Sequence, residues 1–284
     1  MTSSTSLVDD IWPGKSLGAR QFVVSQAMEN RYGVLLGLRD RKYGGEAPVP
    51  PIVLTEAGNG FEGDHFSNRF GELWVRQEWQ FNRLLVSGER LNVQARVADV
   101  YQRRDRTIVA TEHLVVRPNG DRVARGVHHN SFLLDQTGGE LKLPDQTQRP
   151  QARRHPEPIG EPLDSTSHEI TLEMCRDFYM NESNYHTDRS IASDLGFRDV
   201  VIGAGMIMPY LSEIMTQRFA LGWLEGGNLD LKFVSVLHPD EPFTCAGVIT
   251  GRSEEGGQKY AEVALWAQKI EGPKICVGTA RARE

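Results

Sequence analysis

Sliding the 284-residue sequence along itself by about 152 positions brings its turn residues into coincidence. At that offset Gly120 falls on Gly272, Gly126 on Gly278, Met28 on Met180 and Val49 on Val201, and Glu89 meets Asp240 at 151. A period this long is a duplicated domain rather than a solenoid unit, since solenoid repeats run to only about 20–50 residues. In each copy a stretch with helical character is followed by several strands, so the chain must fold as two related α+β units.

The strand regions read clearly. Residues 73–82, 90–101, 107–116 and 122–133 carry Val, Trp, Phe, Tyr and Thr in alternation with Arg, Gln and Glu, the period of a half-buried strand. Ser87-Gly88, Arg104-Asp105 and Asn119-Gly120 mark their turns, the last being a strong hairpin signal. The second copy offers strands near 229–236, 243–252, 259–269 and 274–283, with turns at His238-Pro239-Asp240 and Glu271-Gly272-Pro273. Between 135 and 166 the composition shifts to Gln, Pro, Arg, Gly and Asp, with Pro144, Pro150, Pro156, Pro158 and Pro162. That is the signature of a stiff, extended linker. The domains are therefore drawn as 1–136, a linker over 137–166, and 167–284. Residues 1–20 read as a polar, loosely docked arm anchored by Trp12, and 25–38 as partly helical. Pro48, Pro50 and Pro51 then break the chain before an apolar segment over 52–57.

Composition narrows the function. A net charge of −6 argues against binding to nucleic acid or to an anionic membrane surface. No apolar run approaches the roughly 18 residues of a membrane span. The opening MTSSTSLVDD lacks a basic segment followed by an apolar one, so no secretory signal is read and a cytoplasmic location is expected. Cys175, Cys245 and Cys276 are far apart with no CxxC, which fits reduced thiols rather than disulfides or a zinc site. Cys175 sits on an apolar helix face, where a buried thiol is inert. His128 and His129 are neighbours on a strand, face opposite sides, and are read as structural. Trp74, Trp79, Phe81 and Phe132 are read as core or pocket lining. No GxxxxGK(S/T) phosphate-binding loop and no GxSxG nucleophile elbow is present, and no GxGxxG followed by an acidic partner is read.

The chemistry concentrates in MNESNYHTDRSIASDLGFRDVVIGAG, residues 180–205. Asn181, Ser183, Asn184 and Tyr185 favour an irregular polar turn leading to His186. Asp188 can cap a short helix over 189–195 that Gly196 ends. Gly203 and Gly205 then open a longer apolar helix, roughly 206–218, with Pro209 in its first turn. The start of that helix offers free N–H groups and a positive dipole end, suited to an oxygen that becomes negative. A histidine beside it is a proton-transfer group facing an oxyanion hole.

The order His186-Thr187-Asp188, Ala192, Gly196-Phe197, Gly205-Met206 resembles the second half of a MaoC-like double hot-dog hydratase or dehydratase. The resemblance implies an α+β fold of two tandem hot-dog units, each a curved antiparallel sheet wrapped around one helix. It implies hydration of trans-2-enoyl thioesters or dehydration of 3-hydroxyacyl thioesters, on CoA or an acyl-carrier protein, with no cofactor and no metal. It also implies a homodimer of double hot-dog chains. The family loop reads Asp-x-Asn-Pro-aliphatic-His; here those positions hold Asn181, Ser183, Asn184, Tyr185 and His186. The histidine is kept and the aspartate is not. The implied catalytic set is His186 with Asn181, Gly203 and Gly205, and the implied substrate contacts are Ser183, Asn184, Tyr185 and Met206. Glu182 or Asp188 could replace the absent carboxylate, as could a residue from elsewhere, or His186 could act alone. In the first copy Val34 stands at the His186 position, Glu29 at that of Asn181, and Pro50-Pro51 at Ile202-Gly203. That copy is expected to have lost catalysis and, by the resemblance, to make room for a long or bulky acyl chain. Two other readings stay open: a hot-dog thioesterase using a carboxylate such as Glu213, and a non-catalytic acyl-thioester binder.

Overall fold

The computed structural model describes residues 10–37, 49–134 and 155–284. In the first copy the described elements are β1 Ser16–Val23, α1 Gln26–Asn30, a π-helical turn Arg31–Leu35, a 3-10 helix Pro51–Gly58, α2 Phe61–His65, β2 Leu73–Phe81, β3 Arg90–Arg103, β4 Arg106–Val116 and β5 Arg122–Phe132. The second contains β6 Glu161–Pro162, β7 Thr166–His168, α3 Leu172–Phe178, α4 Arg189–Asp194, α5 Ala204–Phe219, α6 Leu221–Leu224, β8 Asn228–Phe233, β9 Phe243–Glu255, β10 Gln258–Lys269 and β11 Lys274–Arg283. The eight strands read from the sequence are all present, most within a residue or two of their expected ends.

All eleven described strands form one antiparallel sheet in the order β1-β3-β4-β5-β2-β8-β11-β10-β9-β6, with β7 also on β9. The order 1-3-4-5-2 is therefore followed by its mirror image, and β2 and β8 meet at the centre. On that seam Glu78 lies opposite Asp230, its own counterpart at the repeat offset. The register repeats away from the seam as well. Trp79 pairs with Gly126 on β5, and Leu231 pairs with Gly278 on β11. Both glycines are there for close approach. A Cβ at Gly126 would come within 2.6 Å of the Trp79 ring, and one at Gly278 would overlap the Asp230 carbonyl. Arg76 crosses the seam and donates both Nε and Nη2 to the Asp230 carboxylate at 2.7 Å.

The long helix α5 occupies the inside of the second copy's half of the sheet. Met206, Ile207, Leu211, Ile214, Met215 and Phe219 are all buried, and it packs against β9, β10 and β11. A helix apolar on nearly every side is stable only when surrounded, and here the sheet and the first copy's 3-10 helix surround it. The helix begins two residues earlier than its sequence suggested, so Pro209 falls in the second turn and the helix gives up the bond that residue 209 would donate to the Gly205 carbonyl.

Two sequence expectations are corrected. The stretch read as a loose arm holds β1, which pairs with β3, and Trp12 is half exposed while Ile11 and Leu17 are the buried anchors. Its first nine residues lie outside the described residues. The 137–166 linker lies outside them as far as 154, and its end is not linker: β6 and Thr166 pair with β9. Short strands with Pro and Glu carry too weak a period to be seen by alternation.

Candidate active site

Helix α3 is capped by Thr171, whose hydroxyl accepts from the Met174 N–H. It ends in two residues of positive φ, Met180 and Asn181, and the Asn181 N–H donates to the Arg176 carbonyl at 2.8 Å. The C-cap is Tyr179, and Asn181, which tolerates the left-handed conformation better than most residues, serves in the turn that closes the helix after it. The turn after it is tied by Thr187, which accepts from the Asn184 N–H at 3.0 Å and donates to the Glu182 carbonyl at 2.6 Å. The Asn184 side chain accepts from the His186 N–H at 2.8 Å.

These bonds fix the backbone of His186, and three further contacts fix its ring. Nδ1 lies 2.6 Å from the Val201 carbonyl, an acceptor, so Nδ1 carries the proton and Nε2 holds a free lone pair. Tyr179 stacks on the ring at 4.7 Å and 6°, and Tyr185 lies tilted against it at 3.9 Å and 41°. Burial lowers the imidazole pKa to about 4, against the bond to Val201, so the ring is neutral at pH 7. The start of α5 is adjacent. Gly203, its N-cap, offers no side chain, and a Cβ there would overlap the Tyr179 hydroxyl and approach His186 Cε1 to 3.5 Å.

His186, Tyr185, Tyr179, Phe178 and Gly205 form one wall of a cleft of about 850 Å³, counting its open mouth. The other residues predicted for the site lie elsewhere. Asn181, Ser183 and Asp188 line a separate depression with Arg176, Thr187 and Arg189. Glu182 is exposed, and Asp188 caps α4 through the Ser190 N–H. Asn184 acts on the backbone of His186, while Met206 is wholly buried. Neither lines the cleft. Glu213, the candidate thioesterase carboxylate, accepts from Gln217 on α5 and is not part of the cleft lining. Cys175 is buried, its thiol pushed up to about 12 by desolvation.

The opposite wall comes from the first copy, and of its residues sequence reasoning marked only Trp74, as core or pocket lining. It contains Thr55, Glu62, Glu72, Trp74, His113, His128 and Asn130. The Asn130 amide donates to both Glu62, at 2.8 Å, and Glu72, at 2.9 Å, and Thr111 donates to the second Glu62 oxygen at 2.6 Å. Because that amide nitrogen is the donor, Asn130 Oδ1 is the acceptor, and His128 Nε2–H donates to it at 3.1 Å. Trp74 stacks on His128 at 4.2 Å. Burial raises Glu62 to about 7, against the bonds from Thr111 and Asn130 and with help from the charge on Glu72. Burial likewise raises Glu72, opposed by Arg69, which donates to it at 2.7 Å. Desolvation lowers His113 to about 4 and His128 to about 3, so both rings are neutral.

No family model matches the sequence, and no curated protein matches it. Solved structures do match. A MaoC-like dehydratase from Phytophthora capsici superimposes with a TM-score of 0.72 at 19% identity, covering 98% of this chain and 97% of that one. A conserved hypothetical protein from Mycobacterium tuberculosis described as having a double hot-dog fold gives 0.63 at 13%, covering 97% and 96%. The chain has the double hot-dog fold. It also spans about half of the peroxisomal multifunctional enzyme type 2 from Drosophila melanogaster, with 48% of that chain covered at a TM-score of 0.66 and 14% identity.

The two hot-dog units differ in what they hold inside. Register makes Thr111, His113, His128 and Asn130 the counterparts of Val263, Leu265, Ala280 and Ala282. In the second unit those four residues are buried apolar wall around α5. In the first unit, a 3-10 helix and the five-residue α2 stand where the second has its 16-residue helix, and the wall is polar. The repeat offset, applied to inward-facing positions rather than to turns, was the signal that could have found these residues.

Proposed function

We propose that the chain is a hydro-lyase acting on enoyl or 3-hydroxyacyl thioesters, with His186 as its acid–base group. What supports this above all is the 2.6 Å bond between Nδ1 and Val201, which leaves Nε2 of a neutral imidazole as a base beside the open end of α5. The N–H groups of Ala204 and Gly205, the first two helical residues, have no acceptor within the helix by position. The thioester carbonyl would accept from them. In hydration Nε2 takes a proton from water as its oxygen bonds to C3, electron density moves to the carbonyl oxygen, and the imidazolium returns the proton to C2. Dehydration runs the same steps backward. One imidazole thus serves both transfers, and the Asp-to-Asn change at 181 removes nothing from the cleft, since Asn181 does not line it. The substrate is then a CoA or acyl-carrier-protein thioester.

The test is a set of trans-2-enoyl-CoA esters, followed by loss of enoyl absorbance and by release of free thiol. Absorbance loss without thiol release supports the hydro-lyase. Thiol release with the acyl chain unchanged identifies a thioesterase instead.

A further inference from the structure

The first unit's wall is built of polar groups that the reaction at His186 does not use, and two of them are incomplete. Among the described residues, neither Thr55 Oγ1 nor His113 Nε2 has a hydrogen-bond partner, although the two residues are only 6% and 3% exposed. Both line the cleft, as does Glu62. A buried polar atom without a partner is costly unless something completes it, so paired unsatisfied atoms on a cavity wall mark where a ligand's polar group sits.

The chemistry of the wall selects that group. An alkyl chain would leave Thr55 and His113 unpaired while removing them from water. An anionic group would meet Glu72, and the one guanidinium at this wall, Arg69, is already paired with Glu72. A hydroxyl both donates and accepts. It matches a neutral imidazole nitrogen, a threonine hydroxyl and a carboxyl held near half-protonation at neutral pH.

We propose that Thr55, Glu62 and His113 form a hydroxyl-binding subsite, and that the natural substrate is an acyl thioester bearing a hydroxyl remote from the thioester, not a plain fatty acyl chain. This rests on the thioester reading above and reverses the expectation that the first unit simply makes room for bulk. Where the second unit packs its long helix the first has only short ones, and the positions equivalent to the helix-packing ones of the second carry Thr111, His113, His128 and Asn130.

The experiment compares short ω-hydroxy-2-enoyl-CoA esters with the matching esters in which a methyl replaces the hydroxyl, and with ω-carboxy esters. Hydration rates and calorimetric binding are measured for wild type, Thr55→Val and His113→Phe. Wild type should prefer the hydroxylated series by about 10–100-fold in kcat/KM, the range expected when a missing hydroxyl leaves site groups unpaired. Each variant should cut that ratio about 10-fold. A preference for the methyl or carboxylate series, or a ratio unchanged in both variants, overturns the subsite. If no ester is hydrated but calorimetry shows the hydroxyl preference and its loss in the variants, the subsite stands and the hydro-lyase reading falls. If esters are hydrated without that preference, the subsite alone falls.

Discussion

His186 and Val201 are joined through a 2.6 Å bond from the imidazole Nδ1–H to a backbone carbonyl, and that bond sets both the tautomer and the aim of the ring. With burial holding its pKa at about 4, the active, unprotonated form persists well below neutrality. The acid limb of kcat/KM should therefore lie near pH 4 rather than near the 6.5 of an exposed histidine. A pH–rate profile with its acid midpoint above about 6 would contradict a desolvated base.

Gly203 separates Tyr179 from the start of α5. Gly203→Ala should displace the Tyr179 ring, which stacks on His186, and lower kcat/KM at least 10-fold while costing about 1–3 kcal/mol of stability from overpacking. Because the clash falls on the tyrosine hydroxyl, Tyr179→Phe in the same chain should recover part of both losses. Strictly additive effects in that double-mutant cycle would place the clash elsewhere.

Acid should weaken the fold through its histidines. His113, His128, His168 and His186 are all held at about 3 to 4 by desolvation, below the 6.5 they have when unfolded. Below pH 6.5 the unfolded chain binds protons that the folded one refuses, so stability falls as pH drops from 6.5 toward 4. Glu62, raised to about 7, runs the other way: its contribution is whole below 4.5 and is lost as pH rises through 7. Glu72, also raised by burial, acts in the same sense as Glu62, but four groups outweigh two, and denaturant midpoints should decline steadily from pH 6.5 to 4. A midpoint that rises over that range would refute the burial of these rings.

Strand β8 depends more on its close backbone approach to β11 than on the ion pair it makes across the seam to β2. Arg76 and Asp230 are each about one-third exposed, so Arg76→Ala should cost about 1 kcal/mol. Gly278→Ala, which drives a methyl into the Asp230 carbonyl, should cost about 2–3 kcal/mol. Chemical denaturation of the two variants reads the difference directly, and an equal or reversed order would show that the ion pair matters to β8 at least as much as the close approach.

Much of this was legible in the sequence. Alternation located β2 to β5 and β8 to β11, because long half-buried strands impose a period of two on their residues. The repeat offset makes Glu78 and Asp230 counterparts, but that the two would pair across a shared seam appears only in the fold. His186, Tyr185 and Gly205, which local chemistry singled out, line the cleft, while Gly203 is the N-cap of α5. Asn181 was misleading for a physical reason: the same residue type that suits a catalytic loop also suits a left-handed turn closing a helix, and only three-dimensional placement separates the two. The polar wall escaped notice because Thr55, Glu62, His113 and Asn130 are scattered over some 75 positions and meet only when the sheet closes around them. His128 was read as structural from its neighbour His129. In the fold the two do face opposite sides, one into the cleft and the other onto Glu78 at 2.8 Å.

The most direct measurement is hydration of crotonyl-CoA by His186→Ala, with and without added free imidazole. A lost general base predicts a fall of at least about 100-fold, partly restored by imidazole entering the vacated space. An unchanged rate in the variant would show that His186 moves no proton.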